Sequence, residues 1–270
     1  MIEVKMLNQN RTYTNPSYID PEWVIVHSVG SAGYDTREKL YNHWNKKSAK
    51  KSCHGMVDDV GGIQTLPFDF RGWHAGSSGN GISIGFETSE PSNIAYLDEV
   101  HSKIDTKKYR PDNPENMADF FLRYYNAVEM AAYMCKAINV SADKILSHHE
   151  AAIRGMATNH ADVDHWFPLF GKTMNVFRED VDKKLRGAVL VPESVVIKPE
   201  APKENASGEF PYKVKVTADV LNVRREPTVG SVIVTQVREG EVYTITEERE
   251  GWGKLKSGAG WISLDYVKRV

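Results

Sequence analysis

Apolar positions along the first two thirds of the chain fall into two rhythms. Val24, Ile25 and Val26 form a short continuous apolar run between Pro21 and Gly30, the pattern of a buried strand, with His27 at its end. Residues 35–47 place Leu40, Tyr41 and Trp44 on one stripe, with Asp35 and Glu38 at capping-box spacing, which predicts a helix. Residues 54–60 and 63–66 flank Gly61 and Gly62, and paired glycines that tolerate positive φ predict a hairpin there. Residues 82–88 and 144–148 predict two more strands. The strongest helical period covers 115–139, where Phe120, Tyr124, Ala127, Ala131, Met134 and Ile138 recur three or four apart. A last helix, opened by Thr173, is predicted over 174–185 on Met174, Phe177, Val181 and Leu185. The expected fold is α/β, a central mixed sheet of about four or five strands flanked by helices.

Past residue 208 the rhythm shortens. Residues 214–216, 221–223, 231–237, 241–247, 253–256 and 260–262 are β-rich runs separated by turn residues such as Glu226-Pro227, Glu239-Gly240 and Glu250-Gly251, which predicts a small all-β barrel. Between the two patterns, 189–208 is small and charged and is interrupted by Pro192, Pro199 and Pro202. Such a stretch buries too little apolar surface to order itself, and its prolines favour an extended spacer. The expected organisation is a larger domain over 1–188, a linker over 189–208 and the barrel over 209–270.

Charge and composition narrow the function. With 34 Lys+Arg against 36 Asp+Glu, the formal charge is -2, so no strong field draws the chain to nucleic acid or an anionic membrane. Hydrophobic residues at 41% and charged ones at 26% exclude global disorder. Residues 1–30 hold no basic segment followed by a sustained apolar run, so neither a signal peptide nor a membrane span is expected. Only Cys53 and Cys135 occur, which excludes a disulfide framework or a paired-cysteine metal knuckle and fits folding in a reducing cytoplasm.

The nine histidines therefore carry more information. His27 alone is weak evidence for a metal ligand, since a histidine hydrogen-bonded at the edge of the core is the commoner case. Residues 148–165 add His148, His149, His160 and His165 together with Glu150, Asp162 and Asp164. Zinc takes three or four nitrogen, oxygen or sulfur ligands, and a catalytic site keeps one position open for water. If 145–150 runs on as a strand, His148 and Glu150 share one face and His149 takes the other, so only one of the paired histidines faces inward.

Six segments in order carry a resemblance. They are Val24-Ile-Val-His27; Ser52-Cys-His-Gly-Met-Val-Asp58 with Gly61-Gly-Ile-Gln64; Trp73-His-Ala-Gly76; Ser83-Ile-Gly-Phe-Glu87; Ser147-His-His-Glu150; and Asn159-His-Ala-Asp162 before His165-Trp-Phe167. Residues 20–187 thereby resemble the zinc-dependent N-acetylmuramoyl-L-alanine amidases of the AmpD and peptidoglycan-recognition-protein type. The resemblance implies a peptidoglycan hydrolase that uses Zn2+ to cleave the amide between N-acetylmuramic acid and L-alanine. It implies His27 and His148 as zinc ligands, with Asp162 third and His160 as the alternative third ligand. It also implies Glu87 as general base, with His160, where the family often has lysine, helping to hold the oxyanion. The spacing from His148 to Asp162 is longer than the family's usual one, and Asp162-Val-Asp164 replaces its Asp-Pro-Gly. Two other readings share these residues: a non-catalytic peptidoglycan-binding module, and a zinc peptidase cutting within the stem peptide. A full donor set can be drawn, which favours an enzyme over a binding module; the peptidase shares the same chemistry.

In the tail, Ala218-Asp-Val-Leu-Asn-Val-Arg-Arg-Glu-Pro227, Gly240-Glu-Val-Tyr243, Gly251-Trp-Gly-Lys-Leu255, Gly260-Trp-Ile262 and Tyr266-Val267 resemble a bacterial SH3 domain. The resemblance implies cell-wall binding, with Trp252, Trp261 and Tyr266 offering apolar faces, although the two tryptophans read equally as barrel core. The whole arrangement resembles a phage or prophage endolysin that stays in the cytoplasm without a signal peptide and acts on the wall after release; a secreted autolysin is the alternative. Of the remaining conspicuous residues, His74 reads as groove lining or as packing with Trp73, and His54 as structural or at the groove rim. Cys53 has no base placed to activate it. The polar loop over 90–114 reads as a groove border or a surface insertion.

Overall fold

In the computed structural model of the chain, the described residues are 2–188, 210–218, 220–225, 227, 233–249 and 251–270; the linker expected over 189–208 lies outside them. The chain divides into two units, Met1–Ser194 and Val195–Val270. The first unit runs β1 (Ile2–Val4), α1 (Arg11–Thr14), β2 (Trp23–Ser28), α2 (Arg37–Trp44), β3 (Gly55–Val57), β4 (Gly62–Gln64), β5 (Ser83–Thr88), α3 (Pro114–Ala137), β6 (Ile145–Ser147), α4 (His148–Ile153) and α5 (Met174–Leu185). Its strands form a mixed six-stranded sheet in the order β1-β4-β3-β5-β2-β6, antiparallel only between β3 and β4. The sheet exceeds the expected four or five strands partly because β1, three residues long, is too short to show a period.

The central strands β2 and β5 are buried almost throughout, as parallel strands covered on both faces must be. On one face Val24, Val26, Ile84 and Phe86 join a core with Phe120, Tyr124 and Ala127 of α3 and Phe177 of α5. Asn113 caps α3, its side chain accepting from the Glu115 and Asn116 N–H groups, and Pro114 opens the helix. Phe120 stacks on Phe170 at 4.1 Å, and truncating a buried ring of this kind to alanine typically costs about 3–5 kcal/mol. On the other face Ile25 and Leu146 meet Ala75 and Ala151, while Leu40, Tyr41 and Trp44 of α2 cover Met56 and Ile63. Strand alternation puts His27, Gly85 and Glu87 on this second face, away from α3.

Three local expectations give way to different chemistry. α2 is capped by Thr36, which accepts from the Lys39 N–H at 3.3 Å, in place of an Asp35/Glu38 box; Asp35 instead pairs with Lys39. The turn between β3 and β4 does not use positive φ at Gly61 or Gly62. It is closed by Asp58, whose Oδ1 accepts from the Val60 and Gly61 N–H groups at 3.0 and 3.1 Å. The strand expected over 144–148 stops at Ser147, because Ser147 and Glu150 form a capping box and start α4 at His148. His148 and His149 are thus separated by a helical step and do not alternate as strand residues would.

The second unit is all-β, with β7 (Tyr212–Val216), β8 (Val220–Arg224), β9 (Ile233–Arg238), β10 (Val242–Arg249), β11 (Trp252–Leu255), β12 (Trp261–Ser263) and β13 (Val267–Arg269) in the order β13-β7-β10-β11-β12-β8-β9. Neighbouring strands are antiparallel around a core that includes Val214, Val223, Ile245, Leu255 and Ile262. Trp252 and Trp261 are only 9% and 5% exposed, so neither presents an open ring face. Tyr266, at 53%, is the one of the three proposed wall-binding aromatics that keeps an open face.

Candidate active site

The register of three parallel strands builds the site. His27 stands opposite Glu87 across β2 and β5, and Val26 opposite Ser147 across β2 and β6, so His148 follows directly beside them. All three side chains therefore emerge at the carboxyl ends of adjacent strands, where open α/β sheets bind ligands. Asp162 arrives from the segment after α4. That segment is held by fully buried Trp166 and Phe167, by a Thr158 N–H donating to the Ala75 carbonyl at 2.9 Å, and by Ser147 Oγ donating to Asp164.

Three donor atoms converge. His27 Nδ1 lies 2.9 Å from His148 Nδ1, and Asp162 Oδ2 lies 3.2 Å from the first and 3.4 Å from the second. Ligands at 2.0–2.1 Å from a tetrahedral zinc ion stand about 3.3 Å apart, so a slight outward movement of the two imidazoles completes three corners of such a site. Two imidazole nitrogens and one carboxylate oxygen also suit zinc chemically. His160 is outside this donor group; its ring lies 4.8 Å from that of His148 and lines the same groove.

Burial dominates the electrostatics. It pushes the His27 imidazole down to about 4, and it lowers His160 as well. For Asp162, burial acts upward, but the close approach of the His148 and His27 imidazoles outweighs it and holds the carboxyl far below the ordinary range. Glu87 goes the other way, raised to about 8 by burial and then by the charge of Asp162. Its Oε2 is buried without a hydrogen-bond partner, which leaves an acceptor free for a proton. A bound divalent cation would draw this value back down.

Around the donors runs a groove of about 1060 Å³ lined in part by Trp73, Lys51, His149 and Val100. Residues 99–102 form part of its wall, so the loop over 90–114 does border the groove. His101 of that loop hydrogen-bonds the Gly30 carbonyl and stacks on Tyr96 at 4.5 Å. His165 ties Asp162's segment to fully buried Glu90 at 3.2 Å, and Tyr96 donates to the same carboxylate. His54 is structural: the Gly85 N–H donates to its Nδ1 at 3.1 Å and its Nε2–H donates to the Phe70 carbonyl at 2.7 Å. Burial raises the Cys53 thiol well above its ordinary value, and the Sγ–H donates to the Gly55 carbonyl, so no thiolate is available. Two neighbours carry no local sequence signal: Thr158, whose Oγ1 lies 3.4 Å from His148 Nε2, and Lys51, whose charge acts on His27, Glu87 and His160.

The family described as N-acetylmuramoyl-L-alanine amidase matches residues 17–164, and the family described as bacterial SH3 domain matches 219–268. No curated protein sequence matches the chain. Among solved structures, the Staphylococcus aureus hydrolase AmiA in complex with its ligand is 18% identical, with 68% of this chain and 83% of that one covered and a TM-score of 0.53. It shares the fold. A mutant endolysin from Bacillus subtilis is 21% identical over 67% of this chain and 98% of its own, with a TM-score of 0.44. The amidase AmiD from E. coli, solved with an anhydro-N-acetylmuramic acid peptide, is 17% identical over 62% and 59%, with a TM-score of 0.39. With the first match spanning more than half of its length, the chain belongs to the N-acetylmuramoyl-L-alanine amidase family and carries a bacterial SH3 domain behind the amidase domain.

Proposed function

We propose that His27, His148 and Asp162 hold a zinc ion and that Glu87 and His160 perform the proton and oxyanion work of amide hydrolysis on peptidoglycan. The observation that carries this reading is the convergence of two Nδ1 atoms and one carboxylate oxygen beside a buried glutamate with a free Oε2. An amide carbonyl is a poor electrophile and water a poor nucleophile near neutrality; when bound, zinc polarises the former and lowers the pKa of the latter toward about 7. Glu87 takes the proton of the attacking water at a carboxylate oxygen and passes it to the departing alanine nitrogen. His160 donates a hydrogen bond to the carbonyl oxygen as it gains charge. Water is thus added across the C–N bond, leaving the lactyl carboxylate on the muramic acid and a free amino terminus on the stem peptide. Dialysis of the full chain against a chelator is expected to abolish muropeptide hydrolysis, and stoichiometric zinc to restore it. Hydrolysis that survives complete metal removal contradicts the reading.

The pairing of an amidase domain with a bacterial SH3 domain supports a lytic enzyme of endolysin type, kept in the producing cell and acting on the wall after release. Among the described residues no helix is long and apolar enough to cross a membrane. The SH3 unit supplies wall attachment in this reading, with Tyr266 as the open aromatic face. Removing residues 209–270 is expected to reduce co-sedimentation with purified walls while hydrolysis of a soluble muropeptide is kept. Unchanged sedimentation would assign wall binding to the amidase domain instead.

A further inference from the structure

His74 is buried and stands behind His27, outside the donor set. Its Nδ1 lies 3.0 Å from His27 Nε2, and its Nε2 lies 3.4 Å from the Ser83 carbonyl. A carbonyl only accepts, so Nε2 of His74 carries the proton and Nδ1 is left as a lone pair. The proton between the two rings therefore belongs to His27 Nε2. An imidazole with its proton on Nε2 presents a lone pair at Nδ1, the His27 atom that faces His148 and Asp162.

The surroundings fix the His74 ring in place. The backbone N–H groups of His74 and Ala75 both donate to Oδ1 of buried Asn80, at 3.0 and 2.8 Å. A Cβ on Gly85 would stand 2.5 Å from His74 Nδ1, and one on Gly72 would stand 2.9 Å from His74 Cδ2. Glycine inside a strand weakens it, so its presence in the middle of fully buried β5 calls for a close approach of this kind. His54, held by backbone at both nitrogens, meets the ring edge-on at 5.7 Å. The other proposed imidazole ligand differs: among the described residues, His148 Nε2 meets the Thr158 hydroxyl at 3.4 Å, which rotates to suit either tautomer.

We infer that His74 is a positioning residue that holds His27 in the Nε2–H form and so presents His27 Nδ1 to the metal ion. The inference rests on the reading of His27 as a ligand. Outer partners of ligating histidines typically contribute about 10- to 100-fold in metal affinity.

The test uses the full chain and two readouts: zinc affinity by chelator competition, and long-range ¹⁵N–¹H spectra of the histidine-labelled, zinc-loaded protein. In the wild type, His74 should show a protonated Nε2 and a bare Nδ1, with a scalar coupling across the hydrogen bond from His27 Nε2. His74→Leu should weaken zinc binding by about 10- to 100-fold. His74→Asn, whose Oδ1 accepts the same proton, should recover most of the loss. A His74 with its proton on Nδ1 overturns the inference without any variant, and so decides the matter even where His74→Leu does not fold. A folded His74→Leu with wild-type zinc affinity overturns it as well. Undiminished zinc binding by His27→Ala removes the ligand assignment itself, which is a different failure.

Discussion

Glu87→Gln is expected to keep zinc and to lose amide hydrolysis by about 10²- to 10⁴-fold, the range over which a positioned general base contributes. The substitution is nearly isosteric, so the buried pocket beside His27 stays filled, but an amide nitrogen or oxygen cannot carry the proton from water to the leaving amine. Glu87 reaches this place because β5 runs parallel to β2 with Glu87 opposite His27, and because both strands are buried on both faces and hold their ends rigidly. The same burial leaves Oε2 without a partner, a cost that a structural glutamate would avoid by pairing. Turnover of a soluble muropeptide, measured together with zinc content, checks the expectation. Full hydrolysis by Glu87→Gln or Glu87→Ala would remove the proposed base.

The second large effect separates the two candidates for third ligand. Asp162→Ala should lose bound zinc and reduce hydrolysis to background, because it deletes the only anionic donor and leaves two imidazoles that hold the ion weakly. His160→Ala should keep stoichiometric zinc and slow turnover on the order of 100-fold, the loss expected for one oxyanion donor. The geometry underlying the contrast is the 3.2 and 3.4 Å approach of Asp162 Oδ2 to His27 and His148, against a His160 ring 4.8 Å from that of His148. Metal content of the two purified variants decides between them: zinc lost from His160→Ala and kept in Asp162→Ala would exchange the roles.

Much of this site is legible in the sequence because its residues end visible apolar runs. His27 follows the continuous apolar run Val24-Ile-Val26, which is recognisable as a short buried strand, whereas Glu87 lies in the strand expected over 82–88 and is singled out as base only by the resemblance. Asp162 has no such support. It sits in an aperiodic segment and is legible only through the order of motifs around it. His148 is legible as a residue but not in its geometry, because strand alternation does not extend through Ser147-His-His-Glu150, a segment that carries a capping box. The aromatics proposed for wall binding show the limit from the other side: aromatic residues suit an open binding face and a barrel core equally, and burial separates Trp252 and Trp261 from Tyr266 only in three dimensions. No local pattern links His74 to His27. The available signal was Gly85, an unexpected glycine inside an apolar strand, which marks a close approach without naming what approaches.

This constellation is expected to cleave the bond between muramic acid and alanine. Mass spectrometry of the fragments released by the zinc-loaded full chain from purified peptidoglycan tests it most directly. The expected products are stem peptides that begin with a free L-alanine amino group, together with glycan strands whose lactyl groups end in carboxylates. Peptides opened between stem residues, with alanine still attached to muramic acid, would contradict it and reassign the same metal chemistry to a peptidase.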